Sequence, residues 1–166
     1  TFPKELRDLH QKCTALASSI YSCPNVIIQY ATAEILKVEN RQILTDYFVR
    51  ENGLFRLIKE LVCKRFETLQ SGKLKKIRYS IPNAAWYILL HFDDYQKNLN
   101  ALGIKKGTEL SYYLLEKYGI VSVGGECFNT NGYIIRLSLI DFNETLDLSH
   151  MMEGIEIICK FANDLL

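Results

Sequence analysis

The sequence predicts a layered α/β unit preceded by helices. Two observations predict it. Up to residue 69, apolar residues recur mainly at spacings of three and four, the mark of helices. Beyond residue 80, short aromatic and β-branched runs alternate with helical stretches, the mark of a small sheet packed on helices. The composition fits a globular protein: 48% of the 166 residues are apolar and 23% charged, which excludes a disordered tail. With 20 basic against 19 acidic residues the chain lacks the basic surplus of a general nucleic-acid binder.

Residues 3–17 read as a helix, with Leu6, Leu9, Cys13 and Leu16 on one side. Residues 18–24 are expected to interrupt it. Pro24 suits the first turn of a second helix, where its missing N–H costs nothing. That helix runs to Lys37 and is expected to be buried, because Val26, Ile27, Tyr30, Ala31, Ala33 and Ile35 leave little polar face. Residues 40–69 form the longest periodic segment. Leu44, Phe48, Phe55, Ile58, Val62, Phe66 and Leu69 trace one stripe, with a kink expected at Gly53. Ser71-Gly72 ends the helix, and Lys73, Lys75, Lys76 and Arg78 read as a solvated loop.

Residues 84–92 read as a strand buried on both faces. Residues 108–118 read as a helix with Thr108 as N-cap and Gly119 as its left-handed C-terminal residue. Residues 120–123 and 133–140 read as strands separated by a Gly124-Gly125 turn. Ser149 is expected to cap a final helix whose apolar face holds Met151, Ile155, Ile158, Cys159, Ala162 and Leu165.

Motifs for a self-contained active site are missing. There is no GxSxG, P-loop or HExxH pattern. The five cysteines (Cys13, Cys23, Cys63, Cys127, Cys159) are scattered without a CxxC pair. They read as reduced thiols of a cytoplasmic protein, mostly in core packing, with no metal site. No apolar stretch approaches the ~20 residues needed to cross a bilayer, and the first residues lack the layout of a signal peptide. The chain begins with Thr, which suggests an excised fragment. Asp93 and Asp94 read as solvated loop-end carboxylates, and Asp141 and Asp147 as turn and capping groups. His10 and His150 fall at surface positions and His91 at a strand end, none beside an evident nucleophile.

Arg136 stands apart. Strand alternation puts it on one face with Ile134, Ser138 and Ile140, opposite Tyr133, Ile135, Leu137 and Leu139. A guanidinium there stays charged and must find an anion or water. Either it pairs with an internal acid or lies on an exposed edge, or its planar fork awaits a ligand carboxylate.

The residues around it resemble a known family. Gly119-Ile120-Val121-Ser122-Val123-Gly124-Gly125-Glu126-Cys127-Phe128, followed by Asn131-Gly132-Tyr133-Ile134-Ile135-Arg136-Leu137-Ser138, is similar to the C-terminal signature of class I/II (fold-type I) aminotransferases, which use pyridoxal 5′-phosphate. Ile81-Pro82-Asn83-Ala84-Ala85-Trp86-Tyr87 is similar to the family's P-x-G-A-F-Y strand. Ser18-Ser19-Ile20-Tyr21-Ser22 with Gln29-Tyr30-Ala31-Thr32-Ala33, and Thr1-Phe2-Pro3-Lys4-Glu5-Leu6, resemble the segments after the family's lysine. Ala84, Gly124 and Asn129 stand where the family usually has Gly, Pro and Gly.

The resemblance covers nearly the whole chain and carries its implications with it. Residues 1–38 would be the helical end of a large cofactor-binding domain, and residues 39–166 the small domain, a long helix and a small sheet flanked by helices. Arg136 would bind the substrate α-carboxylate, and Ser18 and Ser19 would lie near the cofactor phosphate and the dimer interface. The lysine that forms the Schiff base, the Asp at the pyridinium nitrogen and the Tyr and Asn at the ring oxygen would all precede Thr1. This chain would then hold no catalytic residue and be inactive alone. Its parent would be a homodimer moving an amino group between an amino acid and a 2-oxo acid, without nucleic acid or membrane as partner. The alternative is a non-catalytic interaction module that pairs through surface the large domain would otherwise cover.

Overall fold

The computed structural model describes residues 3–21, 25–73, 75–143 and 145–166. The chain divides into two compact units, Thr1–Glu51 and Asn52–Leu166.

In the first unit a short 3-10 turn, Lys4–Leu6, leads into helix α1, Arg7–Tyr21. The expected interruption after residue 17 does not occur within the described residues. Ser18 and Ser19 continue the helix, and the Ser19 hydroxyl donates back to the Ala15 carbonyl at 2.9 Å, so its polar group is satisfied without leaving the helix. Helix α2, Val26–Ile35, is capped by Asn25, whose side-chain oxygen accepts from the Ile27 and Ile28 amides. Pro24, expected to open this helix, lies outside the described residues. The expectation that α2 is buried is corrected: Ile27 is 76% and Tyr30 75% exposed. A helix apolar all round needs cover on every side, and the described residues do not supply it.

Helix α3, Arg41–Leu69, runs unbroken through Gly53. No kink is needed there. A Cβ at that position would meet nothing within 4 Å, so the glycine serves no close approach. At 1.5 Å per residue the helix is about 43 Å long. Within the second unit its stripe is as expected, with Ile58, Val62 and Phe66 buried at spacings of four.

The second unit is built on a four-stranded antiparallel sheet of order β1-β2-β4-β3. Strand β1 is Arg78–Ser80, β2 Tyr87–His91, β3 Val123–Gly124 and β4 Ile134–Ser138. Strand β1 falls where a solvated basic loop was expected. Two side-chain clamps hold it. The Gln70 amide accepts from Ile77 N–H (2.5 Å) and donates to Ile77 C=O (3.3 Å). Arg78 forms ion pairs with Asp93 (3.6 Å) and Asp94 (3.2 Å), so these carboxylates are not mere solvated loop ends. Asp93 also accepts from the Tyr133 amide at 3.0 Å.

Strand β2 is shorter than expected and buried on one face. Ile88 and Leu90 are buried, while Tyr87, Leu89 and His91 are half-buried. Helix α4, Gln96–Ala101, was not foreseen. Helix α5, Gly107–Tyr118, ends as expected at Gly119 with φ +70°. The final helix α6, Ser149–Asp164, buries Met151, Ile155, Ile158, Cys159 and Ala162. Its first turn is held by Asp147, which accepts from the Ser149 amide at 2.9 Å, so Ser149 is not the cap. Residues of α3, α4, α5, α6 and the inner face of the sheet form one hydrophobic cluster. Among the described cysteines only Cys159 is core, and burial pushes its thiol up to about 11; Cys63 is half-buried, and Cys13 and Cys127 are exposed.

Helix α5 begins hard against the sheet. A Cβ on Gly107 would run into the Ile134 carbonyl oxygen, and one on Gly124 into the Thr108 backbone. Gly107→Ala is therefore expected to destabilise the chain by about 1–3 kcal/mol through overpacking. Urea unfolding measures this, and an unchanged midpoint would show that α5 can back away.

Candidate functional site

The site is assembled on the central strand β4. Arg136 sits opposite Leu89 of β2 and Val123 of β3, so backbone pairing on both sides fixes its Cα. Alternation sends Ile135 into the core and leaves Arg136 half-buried on the opposite face, as the sequence predicts. Tyr87 lies two residues before Leu89 on the same face of β2, at the diagonal position whose long side chains reach across. Its ring centroid is 4.0 Å from the Arg136 guanidinium carbon.

A second ring comes from a different element. Phe128 ends the 3-10 turn Gly125–Phe128 that follows β3, and its centroid is also 4.0 Å from the guanidinium carbon. Each such contact contributes about 0.5–2 kcal/mol depending on desolvation. No salt bridge reaches Arg136 among the described residues. Its N–H groups all lie in the guanidinium plane, so close packing against the rings leaves donation to the edge. A carboxylate, planar and bidentate, matches that edge.

The turn that carries Phe128 is tied down by Glu126. Its carboxylate accepts from the Gly107 amide (2.9 Å), the Thr108 amide (2.8 Å) and the Thr108 hydroxyl (2.6 Å). It thus fills the N-cap role for α5 that was expected of Thr108, and the Thr108 hydroxyl is a donor to it. Burial works against the charged form of Glu126. The Thr108 hydroxyl and the amides outweigh it and hold the carboxyl below the ordinary glutamate range. Asn129 ends the turn at φ +57°, a left-handed position that Asn tolerates.

Ser18 and Ser19 belong to the first unit, exposed on α1. Pyridoxal phosphate needs an amine to carry its aldehyde and a cradle of donors for its phosphate. Twelve of the chain's lysines are exposed and Lys59 is half-buried on α3, so none sits in a desolvated pocket. The Ser19 proton is engaged by the Ala15 carbonyl. The described residues do not by themselves fit the cofactor. Ser80 and His91 pair across the sheet at 3.0 Å (Oγ to Nε2), but among the described residues no carboxylate orients the imidazole as an activated serine requires. No group of three potential metal ligands stands together among the described residues, and none of their helices is long and apolar enough to cross a membrane.

Tyr87, Phe128 and Glu126 were not singled out as site residues. Their roles depend on the β2–β4 register and on the meeting of α5 with the 3-10 turn, which no local pattern encodes. The one available signal was the diagonal of an antiparallel pair, usable only once the register is known.

No family model and no curated protein matches the sequence. Solved structures do match. An aspartate aminotransferase from Thermotoga maritima is similar at 23% identity with a TM-score of 0.57, over 90% of this chain and 32% of that one. An aromatic aminotransferase from Pyrococcus horikoshii OT3 is similar at 24% identity with a TM-score of 0.61, over 92% and 36%. A mutant aspartate aminotransferase from Thermus thermophilus is similar at 18% identity with a TM-score of 0.60, over 92% and 34%. The chain has the fold of one part of these aminotransferases and spans about a third of their length.

Removing the Glu126 cap should cost about 1 kcal/mol at neutral pH, the usual value for an N-cap. A carboxyl whose folded pKa is lowered stabilises fully above its unfolded pKa, about 4.3, and the effect is lost as pH falls through the folded value. Urea unfolding of the wild type and Glu126→Ala should show a gap at pH 7 that begins to narrow only below the unfolded pKa, about 4.3, and closes as pH falls through the lowered folded value. A gap that persists in acid would mean that packing, not charge, makes the contact.

Proposed function

We propose that this chain is the carboxylate-binding part of an aminotransferase that moves an amino group between an amino acid and a 2-oxo acid. Residues 1–38 belong in this reading to a large domain whose remainder lies outside the sequence, and residues 39–166 are the small domain. The observation that carries the proposal is the guanidinium of Arg136, packed against two rings and free of any acidic partner among the described residues. The fold shared with aminotransferases supports it.

Arg136 receives the α-carboxylate in its plane through two parallel N–H···O bonds, and Tyr87 and Phe128 keep the fork from turning. An end fixed this way sets the direction of the substrate's Cα–H bond, which is the geometric requirement for proton removal by a base elsewhere. Pyridoxal phosphate, held outside this chain, would supply the electron sink; Ser18 and Ser19 would stand near its phosphate and a homodimer interface. A cytoplasmic setting accompanies this reading.

In the longer protein, Arg136→Ala should raise KM for amino acids by roughly a hundredfold or more, the effect of about 3 kcal/mol from a buried charged hydrogen-bond pair. The absorbance of the bound cofactor should not change. Wild-type kinetics in that variant would reject the role. The 166-residue chain, mixed with pyridoxal phosphate and borohydride, should yield no stoichiometric adduct at a single lysine by peptide mass mapping, and such an adduct would overturn the expectation that the amine lies elsewhere.

A second reading draws on the exposed apolar residues of the first unit, Val26, Ile27, Ile28 and Tyr30 among them. In this reading the chain is an interaction module that pairs with another copy of itself. Sedimentation at micromolar concentration distinguishes the two, since a clean monomer with an ordered first unit rejects the module.

A further inference from the structure

We infer that Glu126 is a positioning residue for Arg136, acting by docking the Gly125–Phe128 turn onto the first turn of α5 and so placing the Phe128 ring on the guanidinium. The inference rests on the reading of Arg136 as a carboxylate receptor, but concerns a different group and a different contact.

The path is short and continuous. Glu126 accepts three hydrogen bonds, all from Gly107 and Thr108. Two residues later Phe128 meets Arg136. Between them the chain has little freedom. Gly125 is buried with its Cα toward Thr130 and Ile134, so that a Cβ would strike the Thr130 hydroxyl, and Asn129 closes the turn in the left-handed region. Phe128 itself is 41% exposed and, among the described residues, its ring stacks with no other aromatic ring, only with the Arg136 guanidinium. Stacking on another aromatic ring therefore does not hold it. The docking of its turn does. Tyr87, by contrast, stands within strand β2 itself, paired with Ser138 of β4, and does not depend on that turn. Without Glu126 the guanidinium keeps one ring and loses the other, and its fork gains freedom to rotate out of the plane in which a carboxylate must approach.

The test uses nuclear magnetic resonance on the full chain. A proton over the face of an aromatic ring is shielded, so the Arg136 Nε–H should resonate upfield of the other arginines. Phe128→Ala should move it downfield, which calibrates the contribution of that ring. Glu126→Ala should reproduce most of the same displacement while the methyl resonances of Ile135 and Leu139 keep their positions. Thr108→Val, which removes one of the three donors and retains Glu126, should move it part of the way and serves if Glu126→Ala does not fold. An Arg136 resonance that stays at its wild-type position in Glu126→Ala, or in Thr108→Val should the former not fold, would overturn the inference and leave Glu126 a helix cap only. Titration of the wild type with sodium benzoate tests the underlying reading separately. A response at Arg136 Nε–H supports it, and none at saturating benzoate counts against the carboxylate reading without altering the ring displacement.

Discussion

A guanidinium packed against aromatic rings has a single direction left in which to be satisfied. That constraint organises the second unit. Arg136 cannot lose its charge at physiological pH, and no acidic side chain among the described residues neutralises it. The rings of Tyr87 and Phe128 supply attraction to the cation but accept no N–H bond in its plane. The edge of the fork is thus the one place where a ligand anion improves the energy.

Holding that arrangement takes three separate pieces of the fold. The sheet register brings Tyr87 to the diagonal of Arg136. The close approach of α5 to the sheet, possible only because Gly107 and Gly124 lack a Cβ, brings the helix start beside the turn after β3. The Glu126 carboxylate then closes the junction, accepting from the Thr108 amide that a helix start would otherwise leave open and from the Gly107 amide, which also donates to the Gly132 carbonyl. Behind the sheet, the buried cluster formed with α3, α4, α5 and α6 covers the inner face. The outer face stays half-buried, with Leu89, His91 and Ile134 beside the arginine.

The first unit differs in kind. Its helices are locally well specified, with Asn25 capping α2 and serine and threonine hydroxyls bonded within α1. Their apolar side chains nevertheless remain in water. Local signals suffice to form a helix but say nothing of what covers it.

Hydrophobic period and punctuation alone determined much of this protein. The α3 stripe, the α6 face, the Gly119 stop and the side of β4 on which Arg136 lies are all local consequences of 3.6- and 2-residue repeats. The short strand β1 and the unbroken run of α1 through Ser18 and Ser19 were not legible, because side chains distant in sequence, or a bond back along the helix, decided them. The aromatic setting of Arg136 was decided only by tertiary structure. Cross-strand register and helix docking join residues 87, 126, 128 and 136 through contacts whose energy depends on distances in space, and sequence spacing carries no measure of those.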